Sequence, residues 1–119
     1  MKWYLAKLVY RIVCGDGQHI PQFDEQLRLV AAPDAAAAFD KAVAMGGAEE
    51  DSFCNQNAQW VHWQFINVSE LCELRELIDG AEVYSRIREE EDGTAYTTFV
   101  HNKAAAIREN QTHGLLQLI

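Results

Sequence analysis

The sequence predicts an α+β fold with a four-stranded antiparallel sheet and two main helices packed on one face, in the order ββα-ββα. Four short segments alternate apolar and polar residues with the period of two that is typical of half-buried strands. An alanine-rich segment follows the second strand, and a segment with apolar residues at i, i+3 and i+4 follows the fourth. Both spacings indicate helices. Only a loop separates the first two strands, so we predict antiparallel pairing.

The first two predicted strands, residues 3–13 and 22–32, form a hairpin. The residues between them include two glycines, Asp16 and Pro21, which supply the dihedral angles of a turn. The first strand is predicted to direct its even-numbered positions towards the core: Tyr4, Ala6, Leu8, Tyr10 and Ile12. The second is predicted to direct its odd-numbered positions inwards, with Glu25 as an exception: Phe23, Leu27, Leu29 and Ala31. The outward positions of that strand are then Asp24, Gln26 and Arg28.

The first helix is predicted over Ala35–Met45. Asp34 is a good N-cap, alanines are strong helix formers, and Gly46 and Gly47 terminate the helix. Its apolar stripe is expected to lie on the core face of the sheet: Ala35, Ala38, Phe39, Ala42 and Met45. The polar residues 48–58 are predicted to form a loop or a frayed helical extension.

The third strand is predicted over residues 59–68, with Val61, Trp63 and Phe65 inside. We expect a short helix over Ser69–Ile78 and the fourth strand over Ala81–Arg88. A charged turn then leads to the last helix, for which Thr94 is the predicted cap. Five residues follow an i, i+3, i+4 pattern for more than three turns of this helix: Tyr96, Phe99, Val100, Lys103 and Ile107.

Residues 1–109 are expected to form a single α+β domain, because few turn-rich gaps interrupt them. Residues 110–119 are predicted to be a C-terminal tail, which ends in Leu115-Leu116-Gln117-Leu118-Ile119. This tail is either disordered, a docked edge segment, or an arm that reaches a partner subunit.

The composition excludes several classes of protein. The three cysteines are scattered and odd in number, which favours free thiols in a reducing compartment over a disulfide framework. No signal region or spanning apolar segment is present, so we expect a cytoplasmic protein without membrane contact. The net charge of −8 argues against binding to double-stranded DNA, because that binding depends on neutralising phosphates with Lys and Arg.

The outward positions of the four predicted strands form the candidate site. They hold five of the ten basic residues but only two of the eighteen acidic ones, Asp24 and Glu82. The predicted ligand or partner face consists of Trp3, Lys7, Arg11, Arg28, Trp60, His62, Tyr84, Arg86 and Arg88. Dimerisation explains such a face, because aromatic residues and Arg are enriched at interfaces. Two alternatives are coverage by the tail or by Ser69–Ile78, and recognition of an anion or a planar, nucleotide-like group.

No catalytic, metal or cofactor site is predicted. His62 on the outer face is a lone histidine, and Cys54 has no identifiable neighbouring base. Cys14, Asp16 and His19 share one loop, but they offer three ligands at an unfamiliar spacing where a structural site needs about four.

Six segments, taken in order along the chain, carry a family resemblance: MKWYLAKLVYRI, PQFDEQLRLV, AFDKAVAMG, EEDSFCNQ, WQFINVSEL and DGAEVYSRI. Together they resemble a family of small bacterial proteins, domain of unknown function 4288, over about Met1 to Glu109. The alanine-rich Ala35–Ala38 and the tail after Asn110 look like departures. The resemblance implies a bacterial cytoplasmic protein and brings no activity, cofactor or site residue.

The sequence therefore favours a non-catalytic protein-interaction domain, an adaptor or an inhibitor-like partner of another protein, which is expected to be a homodimer. The alternative is a binding module for a small anionic or nucleotide-like ligand on the aromatic and basic sheet face. An enzyme that uses His62 is the third and weakest hypothesis.

Overall fold

The computed structural model describes residues 1–110 and confirms the α+β class and the order ββαββα. The helices and strands are β1 Lys2–Cys14, β2 Gln22–Ala32, α1 Ala35–Ala48, β3 Asp51–Cys54, β4 Trp60–Leu74 and α2 Gly93–Asn110. The four strands form one antiparallel sheet in the order β2-β1-β4-β3. The predicted tail begins at Asn110, which is the last residue of α2, and its residues 111–119 lie outside the described residues.

The chain divides into two compact units. The first, Met1–Ser85, contains the whole sheet and α1, and the second, Arg86–Ile119, contains α2. All members of the hydrophobic core cluster belong to the first unit. The expectation of a single domain over residues 1–109 stays a prediction. Within residues 1–110, no helix is both long enough and apolar enough to cross a membrane.

The second half of the sheet differs from the predicted one. The prediction for residues 59–68 found only the first part of β4, which continues to Leu74 through the segment predicted as a helix. The remaining strand of the sheet is β3, Asp51–Cys54, which lies inside the segment predicted as a loop. The predicted strand over Ala81–Arg88 has no regular secondary structure. Four residues are too few to show a period of two. Two register shifts in the pairing of β4 with β1 also interrupt the alternation of β4.

The β3–β4 hairpin depends on one asparagine in its turn. The Asn55 side chain accepts hydrogen bonds from the backbone N–H groups of Asn57 and Gln59, at 2.9 and 3.0 Å. The backbone N–H of Asn55 donates to the Gln59 carbonyl at 2.8 Å. Ala58 adopts a positive φ of 59° within this turn. Local turn chemistry rather than strand propensity therefore brings β3 beside β4.

The predicted orientation of β2 is wrong. The register from Lys2↔Ala32 to Ile12↔Gln22 places the even positions of β2 opposite the buried even positions of β1. Opposite residues of an antiparallel pair share a face, and a shift of one residue exchanges the two faces. The face under α1 therefore receives Val30, Arg28, Gln26 and Asp24, and the opposite face receives the apolar odd positions.

Polar residues of β2 are accommodated under α1 because each finds a partner there. Arg28 donates two hydrogen bonds to Glu49, at 2.8 and 3.3 Å, and a third to Gln26 at 3.1 Å. Asp24 accepts from Gln26 at 2.7 Å and from the Trp63 indole N–H at 3.1 Å. The chain of bonds compensates the desolvation of these groups.

Helix α1 approaches the sheet closely through small residues. Asp34 caps it by accepting from the Ala37 N–H at 2.8 Å, as predicted. Its buried positions are Ala38, Ala42 and Gly46. A Cβ on Gly46 would overlap the Phe65 ring. The Tyr10 hydroxyl donates to the Gly46 carbonyl at 2.9 Å, and burial raises the pKa of Tyr10. Position 46 requires glycine because the Phe65 ring packs directly against the helix backbone there.

The second unit is built around α2. Asp92, and not the predicted Thr94, caps this helix, since its side chain accepts from the Ala95 N–H at 2.9 Å. The rings of Tyr96 and Phe99 stack at 6.1 Å between centroids. Lys103 lies 5.4 Å from the centre of the Phe99 ring, so Lys103 shares the helix surface with this aromatic pair.

Gly46→Ala is expected to destabilise the protein by about 1–3 kcal/mol, because the added methyl group overpacks the contact with Phe65. Gly47→Ala is the matched control, since a Cβ there meets no atom within 4 Å. It is expected to stabilise α1 by up to about 1 kcal/mol through helix propensity. Urea denaturation of both variants measures the difference. Equal stabilities would contradict the close approach.

Candidate functional site

The candidate site is the sheet face opposite α1, which we name the second face. On β1 it consists of the odd positions, because the even positions Tyr4, Ala6, Leu8 and Tyr10 are buried in the core cluster. The pairing registers extend this face to the odd positions of β2 and, at the hairpin end, to the even positions of β4. No helix of the first unit covers it, since α1 packs on the other face.

The structure brings most of the predicted site residues together. Five of them lie on the second face by the strand registers: Trp3, Lys7, Arg11, Trp60 and His62. Tyr84 reaches the same face from an irregular segment rather than from a strand. Its ring lies 5.7 Å from the Lys7 Nζ atom.

Three predicted arginines are placed differently. Arg28 lies on the opposite face, ion-paired with Glu49 at 2.8 Å. Arg86 and Arg88 belong to the second unit. There, Arg88 pairs with Glu90 at 2.7 Å and lies 5.2 Å from the centre of the Tyr96 ring. The strand assignment for residues 81–88 placed these two arginines on the face, and that assignment is wrong.

Sequence reasoning missed the apolar part of the second face. Phe23, Leu27 and Leu29 of β2 lie on it, with 48%, 39% and 59% of their surfaces exposed. The signal that could have found them is Glu25, an acid in the row that was predicted to be buried. With the register observed, Glu25 is exposed and needs no exception.

Of the two strand cations on the second face, Lys7 is neutralised by an ion pair, and Arg11 lies over an aromatic ring. Lys7, whose side chain is only 11% exposed, forms an ion pair with Glu70 at 3.4 Å. The Tyr84 hydroxyl donates to the same carboxylate at 2.5 Å, and this hydrogen bond raises the pKa of Tyr84. Arg11 is exposed and lies over the Phe23 ring, 5.8 Å from its centre.

The strand residues of the second face have balanced charge. They include two cations, Lys7 and Arg11, and two anions, Glu25 and Glu70, so their charges sum to zero. The net charge of the whole chain is −8, so these strand positions differ from the average of the chain. The face combines half-exposed aromatic and aliphatic groups with balanced charge, a composition found at protein interfaces.

His62 and the hairpin-loop residues have structural contacts. The His62 Nδ1 atom contacts the Ser52 hydroxyl on the neighbouring strand. His19 accepts from the Cys14 N–H at 3.0 Å through Nε2, and Asp16 accepts from the Gln18 N–H at 3.0 Å. These hydrogen bonds stabilise the loop that contains Cys14, Asp16 and His19. Residues 1–110 contain no group of three or more His, Cys, Asp or Glu placed to hold a metal ion.

A family model described as Domain of unknown function (DUF4288) matches residues 3–85. The chain belongs to this family. The match is shorter than the expected span to Glu109 and ends at Ser85, which is also the last residue of the first unit. The DUF4288 region thus includes the sheet, α1 and Tyr84, whereas α2 lies beyond it. Comparison with curated proteins and with solved structures found no match.

Arg28→Gln is expected to lower the free energy of unfolding by about 1 kcal/mol, because it breaks a two-bond pairing with Glu49. Arg11→Gln is the matched control on the second face, and its expected loss is below about 0.5 kcal/mol. Urea denaturation compares the two. Equal losses would place Arg28 outside the helix-covered face.

Tyr84 and Tyr10 are expected to ionise above pH 10, because both pKa values are raised in the folded protein. Their contribution to stability is present below pH 10 and is lost as the pH rises through the raised values. Absorbance titration at 295 nm measures the ionisation. Tyr84→Phe should remove one of the late-titrating groups. An unchanged late phase would show that the Glu70 bond does not form.

Proposed function

We propose that this chain is a non-catalytic protein-interaction module that self-associates through the second face. One observation carries the proposal: large apolar side chains stand half-exposed together on one side of a well-packed sheet. They are Trp3, Phe23, Leu27, Leu29 and Trp60, with exposed fractions from 39% to 66%. A contiguous apolar patch on a sheet marks an interaction site.

The electrostatics favour a protein partner over a small anion. An anion site needs cations whose charge is available to the ligand. Lys7 is paired with Glu70, and Arg28 is paired with Glu49 on the other face. Among the predicted basic residues of the face, Arg11 alone stays on it without an ion pair within residues 1–110. One exposed arginine beside apolar groups fits an interface rather than an anion cradle.

A second copy is the occupant that fits this face. Two chains that each carry a net charge of −8 repel one another, whereas the charges of the strand residues on the second face sum to zero and add no repulsion of their own. The size also fits. Three strands of about eleven residues, spaced by about 4.8 Å with a rise of about 3.3 Å, span about 500 Å² in projection. Because side chains project from the sheet, the accessible area of the face is larger than this projected area and approaches the roughly 800 Å² per partner of a standard interface.

Self-association leaves an acidic exterior for other partners. Exposed acidic residues on the α1 side, such as Asp34 and Asp40, stay exposed when two copies join through the second face. Such an exterior complements basic protein surfaces, which suits an adaptor or an inhibitor-like domain.

Trp60→Arg tests the face contact. Trp60 is 66% exposed on the second face, so its replacement leaves the core intact while placing a charge inside the contact. We expect the mass measured by light scattering to fall by half relative to the unsubstituted chain, because a desolvated charge opposes burial.

Ile20→Arg is the control for Trp60→Arg. Ile20 is 86% exposed in the β1–β2 loop, and its substitution changes the net charge by the same amount. Its mass is expected to equal that of the unsubstituted chain. A chain that is monomeric at all concentrations, or an equal loss of mass in both variants, would overturn self-association through this face.

A further inference from the structure

The outer edge of β2 is long and regular, and within residues 1–110 no other strand pairs with it. The sheet order places β2 at one edge, and its eleven residues pair with β1 without a register shift. It contains no proline. The other side of the sheet is protected: β3 has four residues, β4 carries two irregularities, and the Glu50 side chain accepts from the Phe65 N–H at 2.8 Å. Proteins usually block edges in these ways, and residues 22–30 of β2 show none of these three features.

One hydrogen bond shows which backbone groups of β2 point outwards. The Lys41 ammonium group donates to the Ala31 carbonyl at 2.9 Å, so this carbonyl is directed away from β1. In an antiparallel strand, alternate residues direct both N–H and C=O to the same side. The outward groups of β2 therefore belong to the odd positions, and those before Ala31 are Phe23, Glu25, Leu27 and Leu29.

We infer that two copies of this chain pair antiparallel along β2, about a two-fold axis that passes through Gln26. This edge contact is separate from the proposed contact through the second face and joins two four-stranded sheets into one of eight. A two-fold axis normal to the sheet keeps each face on its own side, so residues i and 52 − i stand opposite each other. The pairing spans residues 22–30.

Side-chain complementarity selects this register. On the α1 side, Asp24 stands opposite the partner subunit's Arg28, and the symmetry repeats this juxtaposition, so like charges do not face each other there. On the second face, Phe23 stands opposite the partner subunit's Leu29, again twice. Phe23 and Leu29 bury apolar surface against each other in this register. Gln26 meets its own copy at the axis.

The two neighbouring registers are less favourable. An axis through Glu25 sets two like charges directly opposite each other, which is destabilising. An axis through Leu27 requires the Ala31 carbonyl to accept from the partner subunit's Phe23, and this carbonyl already accepts from Lys41. It also places Glu25 opposite the partner subunit's Leu29. The Lys41 bond therefore ends the free edge at Val30, where the inferred pairing ends.

Gln26→Cys tests the edge pairing and its register. The even positions would form non-hydrogen-bonded pairs, whose Cα atoms are about 4.5 Å apart and within disulfide range. The substitution is made together with Cys54→Ser, because Cys54 is exposed. We expect oxidation to link most chains into disulfide dimers through the introduced thiols, identified by mass spectrometry of the linked peptide.

Gln22→Cys in the same Cys54→Ser background is the matched control, because Gln22 is an exposed even position of β2 outside the second face. Its two thiols would lie on Cα atoms about 27 Å apart in the inferred register, beyond disulfide reach. We expect at least a tenfold lower yield of dimer. No dimer from Gln26→Cys, or equal yields from both variants, would overturn the inference.

Hydrogen exchange of the unsubstituted chain is a second measurement that needs no variant. The outward N–H groups of residues 22–30 are expected to exchange faster on dilution, as the pairing dissociates. Exchange that does not change with concentration would overturn the edge contact. Adding Trp60→Arg to Gln26→Cys should leave the disulfide yield unchanged. The disulfide yield of Gln26→Cys thus tests the edge contact, and the mass of Trp60→Arg tests the second-face contact. Either contact can therefore be disproved without the other.

Discussion

The register between β1 and β2 is the constraint on which the rest of the structure depends. It places Val30 beside Tyr4 in the core and Arg28 beside Ala6, under α1. A shift by one residue would bury the apolar odd positions and expose the polar even ones, which is the arrangement that hydrophobicity alone favours. The observed register holds because Arg28 binds Glu49 near the end of α1 and Asp24 binds Trp63 across the sheet.

The composition of the second face follows from that register. With the polar positions of β2 turned towards α1, the opposite side collects Phe23, Leu27 and Leu29 next to the odd positions of β1. Lys7 is then neutralised by Glu70 from β4, with Tyr84 bonded to the same carboxylate. An acidic chain thereby acquires one neutral, apolar surface, and this is the physical basis for proposing that copies meet there.

The two edges of the sheet differ in how far they are protected from pairing with another strand. On one side, the short β3, the irregular β4 and the Glu50 side chain limit the pairing of another strand. On the other, β2 is regular and presents outward groups as far as the Lys41 bond. The inferred pairing uses the less protected edge, and the proposed contact through the second face is at right angles to it.

The sequence by itself determined the elements whose signals are local. The alternation of β1, the Asp34 cap and alanines of α1, and the inward row Val61, Trp63 and Phe65 all predict what the structure shows. Only tertiary structure decided the face of β2, because distant partners such as Glu49 satisfy its polar residues. Tertiary structure also determined the position of β3, which is too short to show an alternation of apolar and polar residues. The same holds for the second half of β4, where two register irregularities interrupt that alternation.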